Sequence, residues 1–209
     1  MPAAPRFTQE QDPADWCAVI AILFLALLWW RLGTPSQIYF DEIHYVTAAR
    51  HQNEGVRFNP EHPVLGKTII AAAIRWLGDT PLHWRIPSAI SGAIGLYALG
   101  RLVWFVTGRR LVTLVAMFLV ATNFVWFVMS RIAMLDMFMA MFGMVGLWLA
   151  ASAVRLPDQG RWRLALAGVV GARGARPGHG ACPARPRGLE RVGQLALGAG
   201  RLVGGATLL

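Results

Sequence analysis

Adjacent acids at Asp41 and Glu42, a Glu61-His62-Pro63 turn, Lys67, Arg85, Arg131 and Asp136 are the residues whose types suit a reaction. A carboxylate can take a proton from a hydroxyl nucleophile, which makes the Asp41-Glu42 pair a candidate general base. Lysine offers a point charge and arginine a two-pronged grip on phosphate oxygens, so Lys67, Arg85 and Arg131 suit a reaction on a phosphate-linked headgroup. Taken singly, the acids also read as solvated loop residues and the cations as interfacial anchors, and for Arg75 the anchor reading is preferred. Asp136 stands five positions past Arg131, outside the three or four of a helical ion pair. His44, His51 and His83 form no HxxxH pair, and Cys17 and Cys182 no CxxC, so neither a metal site nor a disulfide framework is expected.

Membrane helices must position these groups. Of 209 residues 56% are hydrophobic and only 15% charged, against the usual quarter, which disfavours an ordinary soluble domain. The formal charge of +9 comes almost wholly from arginines between apolar runs, with one lysine, and no stripe tracks phosphates, so no nucleic-acid partner is expected. Apolar runs predict spans at about 16–32, 86–107, 111–129 and 132–154, and the start of a fifth at 161–170. The first run could be a signal peptide, but acids precede it and no small-residue cleavage site follows, which favours an uncleaved helix behind a cytoplasmic tail, 1–15. Trp29, Trp30, Trp76, Trp84 and Trp104 fall near span ends, as in an aromatic belt.

Arg109-Arg110 and the Arg155, Arg161, Arg163 group mark the cytoplasmic side, which puts the loop 33–85 and the Ser130-Arg131 turn on the other side. Within that outer loop, Asp41 to Glu54 predicts a helix with Asp41, His44, Tyr45 and Ala48 on one face, and Leu65 to Leu77 a helix on the membrane surface. From Gly171 the composition changes: 39 residues hold 10 Gly, 7 Ala, 6 Arg and 3 Pro, and no tryptophan. That segment, 171–209, reads either as a flexible basic extension or as GC-rich sequence translated out of frame, which would leave the transmembrane domain 16–170 truncated.

Four motifs occur in order: Tyr39-Phe40-Asp41-Glu42-Ile43-His44-Tyr45, His62-Pro63-Val64-Leu65-Gly66-Lys67, Trp84-Arg85-Ile86-Pro87, and Ser130-Arg131-Ile132-Ala133-Met134-Leu135-Asp136. Together they resemble the protein O-mannosyltransferase family of polyprenyl-phosphate-mannose enzymes, in its amino-terminal half. Run lengths and charge placement alone predict an all-α, multi-span transmembrane bundle with two interfacial helices in the first outer loop and the active face away from the cytoplasm, expected in a bacterial inner membrane. The resemblance implies that this bundle is of GT-C type. It also implies inverting transfer of mannose from a polyprenyl-phosphate-sugar to a hydroxyl acceptor on protein, with no nucleotide, metal or other cofactor. Asp41 matches the family's catalytic base, with Glu42 beside it; Arg85 matches an arginine on the donor phosphate; His62 and Lys67 line the same pocket; Arg131 and Asp136 match the motif that opens the fourth span. Val64 stands where the family usually has a second proline. Family members commonly have about eleven spans, so four and a fragment imply a truncated chain.

Other readings stay open. Related transferases move aminoarabinose to lipid A, and their second motif reads Lys-Pro-Pro. From a different class, the chain could be a non-catalytic membrane fragment or a partner subunit. A channel or transporter fits least, because the charges gather at one face.

Overall fold

A computed structural model describes residues 10–39, 41–56, 64–156 and 160–175. His62, expected in the donor pocket, lies outside them, as does most of the Gly/Ala/Arg-rich tail. The described residues form eight helices: α1 (Ala14–Trp29), α2 (Glu42–Asn53), α3 (Val64–Leu77), α4 (Pro81–Thr107), α5 (Arg110–Ala121), α6 (Phe124–Arg131), α7 (Leu135–Arg155) and α8 (Gly160–Ala175). The all-helical bundle expected from the apolar runs is present. Two helices, α4 and α7, are long and apolar enough to cross a membrane, and the α5–α6 pair makes a third if counted as one span.

The boundaries differ from the expected ones in four places. At 16 residues α1 reaches about 24 Å, short of a hydrocarbon layer of roughly 30 Å. The chain leaves it at Trp30, and Arg31 adopts a left-handed φ of 55°. Next, α4 begins at Pro81, five residues before the apolar run, because proline suits a first helical turn; it ends at Gly108, whose φ of 65° serves as a left-handed cap. Third, the uninterrupted span expected over 111–129 is bent by 60° between α5 and α6. Asn123 explains the break: its side chain accepts from the backbone N–H of Trp126 at 3.0 Å and starts a new helix. Fourth, α8 continues through Gly171 to Ala175, past the expected change of character.

Central to the packing is α4, against which α1, α3, α5, α6 and α7 all lie. Its small residues let neighbours come close, since a Cβ on Gly95 would sit 3.0 Å from the Trp126 ring. Along one side Ala89, Ala93 and Leu96 meet Cys17, Phe24 and Leu28 of α1 and Met117 of α5. Toward one end of the bundle, Tyr45, Val46 and Ala49 of α2 and Ile70 and Ala71 of α3 are buried with Trp84, Ile132, Leu135 and Phe138. This cluster docks α2 and α3 onto the bundle. Trp84, expected in an interfacial belt, is instead 3% exposed within it, with the Arg50 guanidinium 5.3 Å from its ring centroid.

Candidate functional site

Helix α1 ends, α2 begins, α4 begins, α6 ends and α7 begins at the same end of the bundle, and the hydrogen bonds between these termini define the site. Glu42 is fully buried in the first turn of α2. Its Oε1 accepts from Arg85 Nε at 2.8 Å and from the Ala133 backbone N–H at 2.9 Å. Its Oε2 accepts from Arg85 Nη2 at 2.8 Å and from the Tyr39 backbone N–H at 3.0 Å. The remaining donors of Arg85, itself 1% exposed, go to main-chain carbonyls: Nη1 to Leu32 at 3.2 Å and Pro35 at 2.8 Å, and Nη2 to Gln37 at 3.1 Å.

A guanidinium has five N–H groups and a carboxylate about four acceptor positions, and here every one has a partner within the chain. That is the condition under which a buried ion pair is tolerated, because an unmatched charge in a low-dielectric interior is costly. Arg85 therefore has no N–H left over for a donor phosphate, and Glu42 is occupied on both oxygens. The resemblance implied that Arg85 touches phosphate; in the structure all of its bonds tie α4 to the α1–α2 loop and to α2. Only the fold could reveal this, since the partners lie 43 to 53 positions away in sequence.

Asp41, next door, is placed differently. It stands at the N-cap position of α2 with φ −69° and ψ −7°, and its side chain makes no capping bond. Half-buried, it borders the site rather than filling its wall. Tyr45, one turn further along α2, is 8% exposed. Burial pushes its phenol up, and the Asp136 and Asp41 carboxylates add to the effect, so both acids act on the same ring. Asp136 lies in the first turn of α7, where the positive end of the helix dipole favours an acid. Exposed itself, it borders an apolar groove of about 420 Å³ with Trp126, Met129, Met137 and Met144.

Lys67 sits in α3, 4% exposed, and its ammonium is pushed below the usual lysine range by burial. The neighbouring Gly66 lets α3 approach α7, because an added Cβ would collide with Leu135 and lie 3.2 Å from Phe138. Arg131, at the end of α6, donates to the carbonyls of Leu28, Trp30 and Arg31. Glu42, Arg85, Arg131 and the 132–136 segment are thus drawn together, with Asp41 beside Glu42. His44 is exposed on α2. Sequence reasoning did not single out the Ala133 N–H or the loop carbonyls, which carry no side-chain signal. Among the described residues no group of three or more His, Cys, Asp or Glu is arranged to hold a metal ion.

Two family models match the chain, both described as dolichyl-phosphate-mannose-protein mannosyltransferase, over residues 18–93 and 61–175. A polyprenol-phosphate-mannose–protein mannosyltransferase of Corynebacterium glutamicum is 33% identical over 167 residues, covering 70% of this chain and 31% of the relative. Its counterpart in Mycolicibacterium smegmatis is 34% identical over 150 residues, covering 66% and 29% respectively. Protein O-mannosyltransferase 1 of Drosophila pseudoobscura is 29% identical over 118 residues, 48% of this chain and 13% of the relative. The chain thus spans about three-tenths of the length of the bacterial relatives it matches. No solved structure matches it significantly.

Proposed function

The chain belongs to the dolichyl-phosphate-mannose-protein mannosyltransferase family, and from that premise we propose that it carries the base-bearing part of a mannosyltransferase acting on a polyprenyl-phosphate-mannose donor and a serine or threonine hydroxyl of a protein. In the proposed step the Asp41 carboxylate takes the hydroxyl proton as the acceptor oxygen bonds to C1 of mannose. The bond from C1 to the phosphate oxygen breaks with its electron pair, and polyprenyl phosphate leaves with inversion at C1. Lys67 and His62 are the cations proposed for the phosphate, where charge builds up as the sugar departs. Asp136 borders the same end and is proposed to contact substrate. No nucleotide or metal enters the proposed chemistry.

The observation that carries this reading is the contrast between the two neighbouring acids. Glu42 is locked by four donors, whereas Asp41 caps nothing, stands half-exposed at a helix start, and has its backbone fixed by its locked neighbour. A base held in this manner needs little reorganisation to meet a hydroxyl. Arg109, Arg110 and Arg155 lie at the opposite end of the bundle, where Arg155 Nη2 donates to the Val106 carbonyl near the end of α4. Short-loop arginines of this kind support an active face away from the cytoplasm, in a bacterial inner membrane.

The test is transfer of labelled mannose from polyprenyl-phosphate-mannose to a Ser/Thr peptide by the chain in proteoliposomes. Asp41→Asn is expected to lower transfer by about 10²–10⁴-fold with membrane insertion unchanged. Transfer at the wild-type rate by that variant would remove Asp41 from the role of base.

A further inference from the structure

Arg131 shares one part of the Arg85 pattern: where Arg85 divides its donors between the Glu42 carboxylate and main-chain carbonyls, the hydrogen bonds of Arg131 go to main-chain carbonyls. Its Nη1 donates to the carbonyls of Leu28 and Trp30, each at 2.9 Å, and its Nη2 to that of Arg31 at 3.0 Å. With Leu32, Pro35 and Gln37 held by Arg85, two guanidiniums grip six carbonyls between residues 28 and 37. The last carbonyls of a helix have no partner within it, and a cation there also meets the negative end of the helix dipole. Arg131 therefore closes the end of α1 from outside that helix.

The grip falls where the backbone is least comfortable. Arg31 has a φ of 55°, a left-handed conformation that a side chain disfavours and that persists only where its surroundings over-determine it. A bond to the carbonyl of that residue is such a constraint. The Phe127 ring, its centroid 5.5 Å from the guanidinium carbon, covers one face of Arg131 and fixes its plane. The chain from α1 to α2 is thus held at its exit by Arg131, midway by Arg85, and at its far end by Glu42, immediately after Asp41.

We propose that Arg131 is a positioning residue for the base: it fixes the exit of α1 and, in tandem with Arg85, the path of the loop that delivers Asp41, instead of holding the donor phosphate. This inference rests on the reading of Asp41 as the base of a mannosyl transfer. Once the exit of α1 is free, the loop samples other paths and Asp41 loses its approach to the acceptor hydroxyl. The donor is bound elsewhere and is unaffected.

Arg131→Ala and Arg131→Lys in the reconstituted chain test this by two readouts. The first is steady-state transfer from polyprenyl-phosphate-mannose. The second is the distribution of spin-label distances between Ser36→Cys in the loop and Val106→Cys at the far end of α4, with Cys17 and Cys182 replaced by serine. Arg131→Ala is expected to lower kcat on the order of 10²-fold, leave the donor KM within about twofold, and broaden the distance distribution. Arg131→Lys, whose ammonium can still reach some of the carbonyls, regains part of kcat and narrows the distribution; it also carries the test should the alanine variant not insert. A donor KM raised about tenfold with kcat unchanged would assign Arg131 to the phosphate and overturn the proposal. So would an unaltered distance distribution. If the wild-type chain transfers no mannose, the functional reading fails, and the distance measurement alone still decides whether Arg131 holds the loop.

Discussion

Glu42→Gln is the sharpest perturbation of this site, because it changes one atom's chemistry and almost none of its volume. Both carboxylate oxygens accept two hydrogen bonds, Oε1 from Arg85 Nε and Ala133 N, Oε2 from Arg85 Nη2 and Tyr39 N. Whichever oxygen becomes the amide nitrogen, two N–H donors then face another donor, and the Arg85 guanidinium, 1% exposed, loses its counter-charge. Breaking a buried pair from one side costs about 3–5 kcal/mol, a large share of the roughly 5–15 kcal/mol that holds an ordinary domain together. For a chain of this size the melting point is expected to fall by roughly 6–20 °C. The chain supplies its own reporter: Cys17 is fully buried and free, so in a Cys182→Ser background a thiol-reactive fluorophore lights up as the bundle opens. Asp41→Asn, which removes no capping bond, serves as the control and stays within about 2 °C of wild type. A double-mutant cycle with Arg85→Gln is expected to show coupling of about 0.5–3 kcal/mol, the double variant losing less than the two singles added together. A Glu42→Gln melting point within about 2 °C of wild type would refute the view that this pair holds the site.

Two further outcomes follow from packing and from charge. Gly92→Ala would drive its Cβ into Ser130, whose Cβ would lie only 2.7 Å away, and is expected to destabilise the α4–α6 contact by about 1–3 kcal/mol. Gly143→Ala has nothing within 4 Å and is expected to gain about 0.5–1 kcal/mol of helix stability; opposite signs in the same thermal assay check both. At the other end of the bundle, hydrogen bonds from Arg101 hold the Asp12 carboxyl below its ordinary value of 3.8 against the opposing effect of burial. Because the folded carboxylate binds its proton less tightly than the unfolded one, this contact stabilises the fold above about pH 3.8 and is lost as pH falls through the lower folded value. Melting points followed by helical circular dichroism should therefore drop on acidification below that point more steeply in wild type than in Asp12→Asn, and equal slopes would exclude the contact.

Much of the architecture was legible from run lengths, because an apolar stretch must be shielded from water whatever its neighbours do. Thus α4 and α7 lie close to where the apolar runs 86–107 and 132–154 put them, and α2 and α3 fall close to the two helices expected in the loop 33–85. Two of the misreadings have causes that hydropathy does not register. At Asn123 a single side chain competes for backbone hydrogen bonds and breaks a run that hydropathy alone leaves whole. At Trp84 an aromatic expected at an interface is drawn inward by a cluster assembled from α2, α3 and the start of α7, none of it adjacent in sequence.

The sequence by itself determined which residue types gather and the family they resemble. Four ordered motifs bring acids and cations to the end of the bundle where the loop after α1 begins. The tertiary structure alone decided what those residues do there. Glu42 and Arg85 look like reactive groups in a linear reading, yet each is engaged to its full hydrogen-bonding capacity by partners that include backbone groups at positions 32, 35, 37, 39 and 133. Every residue carries the same peptide C=O, and every residue but proline the same N–H, so no pattern of side chains announces such partners. They exist only once the end of α1, the start of α4 and the approach to α7 have been brought within hydrogen-bond reach of one another. The same closure leaves Asp41 outside that network, and this, rather than its type, distinguishes it from Glu42.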